Sequence, residues 1–314
     1  MIFQNKVEHT NFDGIHQEAR RTIWFHLYTL FLFTKSDFKT VIFPQSVFAL
    51  SFAYSHTQSG TSLAFGEIFK WRFPCMLVWI WVHLLVENVA NQRLPGSVLE
   101  DTENKPWRPL PSGRITPDEA QSVLRILVCV AVAMSVLLGS FEASVTLMTC
   151  IWLYNDLDGS GAGPWQRNLL NAAGLSCFGW GAVAVLFSGD GFPKDLLWKW
   201  LSLLAAVITT TVHAQDFPDV EGDTKSGRKT MPLYYGQRPS RYGLAILLLL
   251  WSVACPAFWH VNLLVGAAPL FIGIGMAGMT AFRCDIFYDA IVWRCWCLWT
   301  GVLYLLPLFA SARA

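Results

Sequence analysis

Residues His213–Pro232 read HAQDFPDVEGDTKSGRKTMP. The segment closes a long apolar run and opens into three aspartates, one glutamate and three basic residues. Asp219 and Asp223 are four apart, so on a helix they share one face, with Asp216 a turn earlier. Pro218 is expected to end the long helix and start a short one, because proline is tolerated in a first helical turn. Paired carboxylates at the mouth of a membrane helix suit Mg²⁺, which typically works with substrate phosphates. Lys225, Arg228 and Lys229 would contact such phosphates directly. The plain alternative is a solvated loop between two membrane helices, and a partner cluster elsewhere decides between the two.

Composition places the chain in a bilayer. Of 314 residues, 54% are hydrophobic and 14% charged, against about 25% charged in soluble domains. Mean hydropathy is +0.39. A net charge of +1 argues against a nucleic-acid partner. The polar N-terminus is not the start of a cleavable signal peptide. The eight cysteines sit mostly inside apolar runs without a metal-ligand pattern, and read as small packing residues.

Apolar runs long enough to cross about 30 Å of hydrocarbon are expected near 37–55, 73–93, 117–139, 141–157, 167–188, 196–215, 241–261, 262–281 and 287–310. Residues 1–36 form a polar N-terminus with an interfacial helix over Ile23–Phe33. Residues 37–314 form the membrane domain. The expected fold is an all-α integral membrane protein, a bundle of nine transmembrane helices around a central cavity. Most Lys and Arg fall on one side of that arrangement, which makes that side cytosolic, with the N-terminus there. Four polar clusters converge on this face. They are Glu87, Asn88 and Asn91 with the loop GSVLEDTENKPWRPLPSGRIT (Gly96–Thr116); YNDLD (Tyr154–Asp158); Arg167, Asn168 and Asn171; and the aspartate cluster. Ionisable groups at membrane depth are costly and usually face an internal cavity. Carboxylates interleaved with Lys and Arg point to an anionic ligand held through bridging Mg²⁺. With a greasy cavity below, an isoprenyl diphosphate fits both halves.

At these residues a family becomes recognisable. KPWRPLPSGRIT (Lys105–Thr116) resembles the sequence following the first acidic motif of the UbiA prenyltransferase superfamily. DFPDVEGDTKSGRKTMP (Asp216–Pro232) resembles its second, and RNLLNAAG (Arg167–Gly174) adds to the likeness. The wording LFTKSDFKTVIFP (Leu32–Pro44) is most similar to fungal members, which include membrane-bound terpene cyclases. The first motif departs from the family's NDxxDxxxD. Its last Asp is Asp101, its middle Asp position holds Ser97, and the loop carries about two extra residues at Pro95 and Gly96 (counting back from Pro106). Glu100 is a candidate replacement for the missing carboxylate. The resemblance implies Asp101, Asp219 and Asp223 as catalytic residues, and Asn91, Asp101, Asp216, Asp219 and Asp223 as metal ligands. It implies Lys39, Asn91, Lys105, Arg108, Asn155, Arg167 and Lys225 as substrate contacts.

Single residues carry competing readings. His83 reads as a satisfied buried histidine, while His213 stays open between packing and chemistry. Trp107 reads as an interfacial anchor. Asn155, Asp156 and Asp158 either bind substrate or cap a helix. Trp79 and Trp180 are candidates to line the chamber, with packing between helices as the alternative. Three functions compete: cyclisation of farnesyl or geranylgeranyl diphosphate, prenyl transfer to an aromatic or other acceptor, and transport or lipid binding. Paired acidic motifs disfavour the last. The altered first motif and the fungal likeness favour cyclisation, in a membrane of the endoplasmic reticulum with the site loops facing the cytosol.

Overall fold

The computed structural model describes residues 21–57, 68–188 and 191–310, together with Gly66. The polar segment 1–20, with its share of the orientation argument, lies outside the described residues. Helix α1, Ile23–Thr34, begins where the Thr22 hydroxyl accepts from the Phe25 amide. A short Lys35–Asp37 turn and a π-helical Phe38–Ile42 lead into α2, Phe43–Thr57. Then follow α3 (Phe73–Gln92), α4 (Pro95–Asn104), α5 (Pro117–Leu138), α6 (Phe141–Asn155), α7 (Pro164–Leu186) and α8 (Lys194–Thr211). The chain continues through α9 (Val220–Ser226), α10 (Gln237–Phe258), α11 (Leu263–Phe282) and α12 (Ile286–Leu305). Among the described residues every regular element is helical.

Each expected span finds a helix, and among the described residues seven helices are long and apolar enough to cross a membrane. Of the other two, α2 continues the π-helical Phe38–Ile42, and that run is broken in polarity by Lys39, Gln45 and Ser46, while α6 has 15 residues. At 1.5 Å per residue α6 is about 22 Å long, short of about 30 Å of hydrocarbon. Local chemistry sets the ends. Thr116 and Glu119 form a reciprocal capping box at the start of α5, and Gly139 stops that helix in the left-handed region at φ 74°. The long apolar tract 241–281 divides where His260 turns left-handed at φ 49° and Asn262 caps α11.

Buried polar groups tie the helices together, as hydrocarbon surroundings require. Trp79 on α3 donates from Nε1 to Ser135 Oγ on α5 at 2.9 Å and stacks on His83 at 4.0 Å. The His83 Nδ1 lies 2.8 Å from the Trp79 carbonyl and its Nε2 2.7 Å from Ser144 Oγ on α6, so His83 is satisfied, as expected. A Cβ on Gly181 of α7 would sit 2.0 Å from the Trp79 ring, so only glycine lets α7 approach. Trp79 is therefore wedged between helices rather than exposed to a chamber, which corrects the lining expectation. Trp180 packs edge-on against Trp198 at 4.8 Å, a second correction.

Candidate active site

Polar side chains from several elements meet at one end of the bundle. The C-terminal ends of α3, α6 and α8, the start of α7, and the short helices α4 and α9 carry most of them. The long helix α8 runs on as a tight turn over Val212–Gln215 and ends before Pro218, and Asp219 precedes α9. The first acidic motif is divided between two helices. Asn91 lies in the last turn of α3, Leu94 is extended, and Pro95 starts α4, which carries Glu100 and Asp101. Proline at the first helical position costs no hydrogen bond, so the extra Pro95 and Gly96 make a helix start rather than a loop.

The two motifs meet through an arginine. Arg228 Nη1 lies 2.5 Å from Glu100 Oε2 and 3.7 Å from Asp223 Oδ1, and its Nη2 reaches Ser97 Oγ at 3.5 Å. Glu100 thus brings a carboxylate to the same arginine that reaches Ser97, the position that lacks one. Arg167 is buried and donates to Asp216 Oδ1. Arg108 Nη1 donates to both oxygens of Asp101 at 2.8 Å, and its Nη2 contacts Ser36 at 3.4 Å. Asn91 Nδ2 donates to Asn155 Oδ1 at 2.9 Å, joining α3 to α6.

Several expected roles shift. Asp219 and Asp223 are spaced to share a helical face, yet Asp219 is a half-buried cap and Asp223 sits buried inside α9. The carboxylates buried together around Arg167 are Asp216 and Asp223. Lys225 is exposed and pairs with Glu103 at 3.0 Å and Glu221 at 3.6 Å, on the outer rim. Lys39 lines a lateral groove with Phe43 and Arg294. Lys105 follows α4, half-buried beside Asp101.

Among the described residues no three Asp, Glu, His or Cys side chains form a preassembled metal cluster. The donor chemistry nonetheless fits a cation. Both Asp223 oxygens and Asp216 Oδ2 are buried without a hydrogen-bond partner. Burial pushes the Asp223 carboxyl up to about 7; Arg167 and Arg228 oppose that rise, while Asp216 and Glu100 reinforce it. Such orphaned oxygens are costly in a folded protein, and a divalent ion with oxygen ligands would satisfy them.

Below the rim lies a cavity with an empty volume of about 780 Å³, its open mouth included. Polar groups at its wall include Asp37, Glu87, Tyr154, Asn155, Asn171 and Gln215, and its apolar lining includes Ile151, Phe178, Trp293 and Trp296. The indoles of Trp293 and Trp296 stack at 5.1 Å, and Trp296 Nε1 donates to Thr211 Oγ1 at 3.0 Å. Sequence reasoning passed over this pair, although their i, i+3 spacing on one helix was the signal.

Comparison with known proteins follows this geometry. The chain is 32% identical over 291 residues to the fumagillin beta-trans-bergamotene synthase of Aspergillus fumigatus, covering 91% of this chain and 94% of that one. It is 31% identical over 284 residues to the somaliensene A/B synthase of Streptomyces somaliensis, covering 84% and 85%. The fold matches a UbiA homolog from Archaeoglobus fulgidus bound to GPP and Mg²⁺, with a TM-score of 0.60 at 13% identity over 88% of this chain and 99% of that one. The model of the UbiA prenyltransferase family matches residues 53–294, and the chain belongs to that family.

Proposed function

We propose that this protein is a membrane-bound class I terpene cyclase that ionises a prenyl diphosphate, farnesyl or geranylgeranyl, and cyclises the resulting allylic cation. One observation carries the reading: orphaned buried oxygens of Asp216 and Asp223, flanked by Arg167 and Arg228, lie next to Gln215 in the wall of a cavity lined by stacked indoles. Asp216, Asp219 and Asp223, with Asn91 and Asp101, would hold Mg²⁺. When bound, Mg²⁺ supplies the positive charge that stabilises a departing diphosphate. Arg108, Arg167 and Arg228, now paired to carboxylates, would turn toward diphosphate oxygens, with Lys105 beside them. That is stabilisation aimed at charge that develops during reaction. Trp293 and Trp296 present aromatic faces to the cation, each contributing about 0.5–2 kcal/mol. The apolar walls exclude water, which would quench the cation to an alcohol.

Similarity across nine-tenths of the chain to a bergamotene synthase supports cyclisation over transfer. The second reading, prenylation of an aromatic or other acceptor, draws on the family's name. The bilayer is that of the endoplasmic reticulum, with the site loops toward the cytosol. The test is incubation of purified protein with farnesyl or geranylgeranyl diphosphate and Mg²⁺, without acceptor. Cyclic hydrocarbons are expected, with turnover abolished by EDTA and restored by Mg²⁺. Product formed only when a phenolic acceptor is added would promote the transferase reading.

A further inference from the structure

Glu87 has no part in the rim chemistry above, yet it lies in the cavity wall. It is one helical turn before Asn91 on α3, about 6 Å deeper at 1.5 Å per residue. Leu147, Ile151, Phe178, Trp293 and Trp296 surround the same space. Among the described residues no side chain forms a hydrogen bond or ion pair with it; Asp37 and Arg108 are the charged groups that act on it. The same stripe of α3 carries His83 and Trp79 one and two turns deeper, and both of those are hydrogen-bonded. A carboxyl without a hydrogen bond is costly to a bundle at this depth, and intramembrane ionisable groups mark function.

The chemistry of the chamber supplies a task, given the cyclase reading on which this inference rests. After ring closure the cation ends when a neighbouring carbon loses a proton and the C–H electron pair becomes the new C=C bond. The proton must go to a base. Released diphosphate at the rim is one acceptor. A carboxylate 6 Å deeper on the scale of the helix rise reaches different carbons of the same chain. A nearby carbocation itself favours the ionised carboxyl. We propose that the Glu87 carboxylate takes the terminating proton and thereby fixes the position of the final double bond. The resulting carboxylic acid returns its proton to water when the hydrocarbon leaves. The balance is prenyl diphosphate to hydrocarbon, diphosphate and one proton.

The experiment compares the parent protein, Glu87→Gln and Glu87→Asp in lipid nanodiscs with farnesyl and geranylgeranyl diphosphate and Mg²⁺. Diphosphate release and product composition are read together. Glu87→Gln should still release diphosphate, because ionisation belongs to the rim. Its ratio of the parent hydrocarbon to other olefins and alcohols should fall by about 10²-fold, the lower end of a positioned base's contribution. Glu87→Asp, with the carboxyl one methylene back, should give an intermediate mixture. An unchanged mixture from Glu87→Gln overturns the assignment. If Glu87→Gln releases no diphosphate, the mixture from Glu87→Asp decides: shifted upholds the proposal, parent-like overturns it. A parent protein that makes no hydrocarbon but prenylates a phenol overturns the cyclase reading, and this assignment with it.

Discussion

Two buried arginine–aspartate pairs sit at the same end of this bundle and are built differently. Arg241 on α10 meets Asp289 on α12 through two nitrogens and two oxygens, at 2.6 and 2.7 Å, with Phe217 stacked 4.4 Å from the guanidinium. Both Asp289 oxygens are used. Arg167 on α7 satisfies one oxygen of Asp216, leaving the other, and both of Asp223, without a hydrogen bond. A pair whose carboxylate is saturated holds helices; one whose carboxylate keeps an unbonded oxygen retains capacity for something from outside the chain. The difference separates scaffold from site more sharply than burial, since all four residues are buried.

The largest expected effect falls on the saturated pair. Asp289→Ala leaves Arg241 buried without its partner, and breaking a buried pair costs about 3–5 kcal/mol. Thermal unfolding in detergent should show that loss, while turnover per folded molecule persists. Stability unchanged in Asp289→Ala would mean that saturation does not mark scaffold. Asp223→Ala should behave in the opposite way. Turnover should drop about 10²–10³-fold, the range for removing one electrostatic group. The metal-free protein should be at least as stable as the parent, because a carboxyl held at about 7 by burial is one the fold does not favour ionised. A variant as active as the parent would move the site elsewhere.

The comparison also accounts for what could be read in the sequence. Apolar runs and caps such as Thr116 with Glu119 are local, so helices were placed within a few residues of their positions. Polar ends were placed correctly because polar residues interrupt apolar runs only where they are needed. Which aspartate faces which arginine was less accessible. The four-residue spacing favoured Asp219 with Asp223, but the turn at Pro218 swings Asp216 inward to Arg167 and leaves Asp219 as a cap. Lys39 and Lys225 lie at the right level in the chain and point to a groove and to Glu103. Side-chain direction around a helix depends on neighbours, and one chain read alone does not name them. Trp79 misled for the same reason: its period-four stripe leads to Glu87 and Asn91, but Gly181 brings α7 against it.

That contrast between closed and open parts of α3 gives a smaller effect. Gly181→Ala puts a methyl where the Trp79 ring stands, and overpacking of this kind costs about 1–3 kcal/mol. The melting temperature should fall while the ratio of products stays that of the parent. A changed ratio with unchanged stability would return Trp79 to the chamber wall.

Trp296 should answer in the reverse sense. It is buried, stacked on Trp293, and held by its hydrogen bond to Thr211 at the end of α8. Its face borders the same cavity as Glu87 and Phe178. Leucine keeps much of the apolar volume and removes the ring, so Trp296→Leu subtracts an aromatic contribution of about 0.5–2 kcal/mol to any cation beside it. That energy divides competing ring closures, whose barriers differ by similar amounts, far more than it affects binding of the uncharged prenyl chain. The expected outcome is a product mixture altered several-fold, read by gas chromatography, with KM for the diphosphate close to the parent's. A raised KM with an unaltered mixture would mean that the indole only shapes the wall, and the cation would then have to be stabilised by Phe178, by Trp293, or by the carboxylate of Glu87 in the wall of the same cavity.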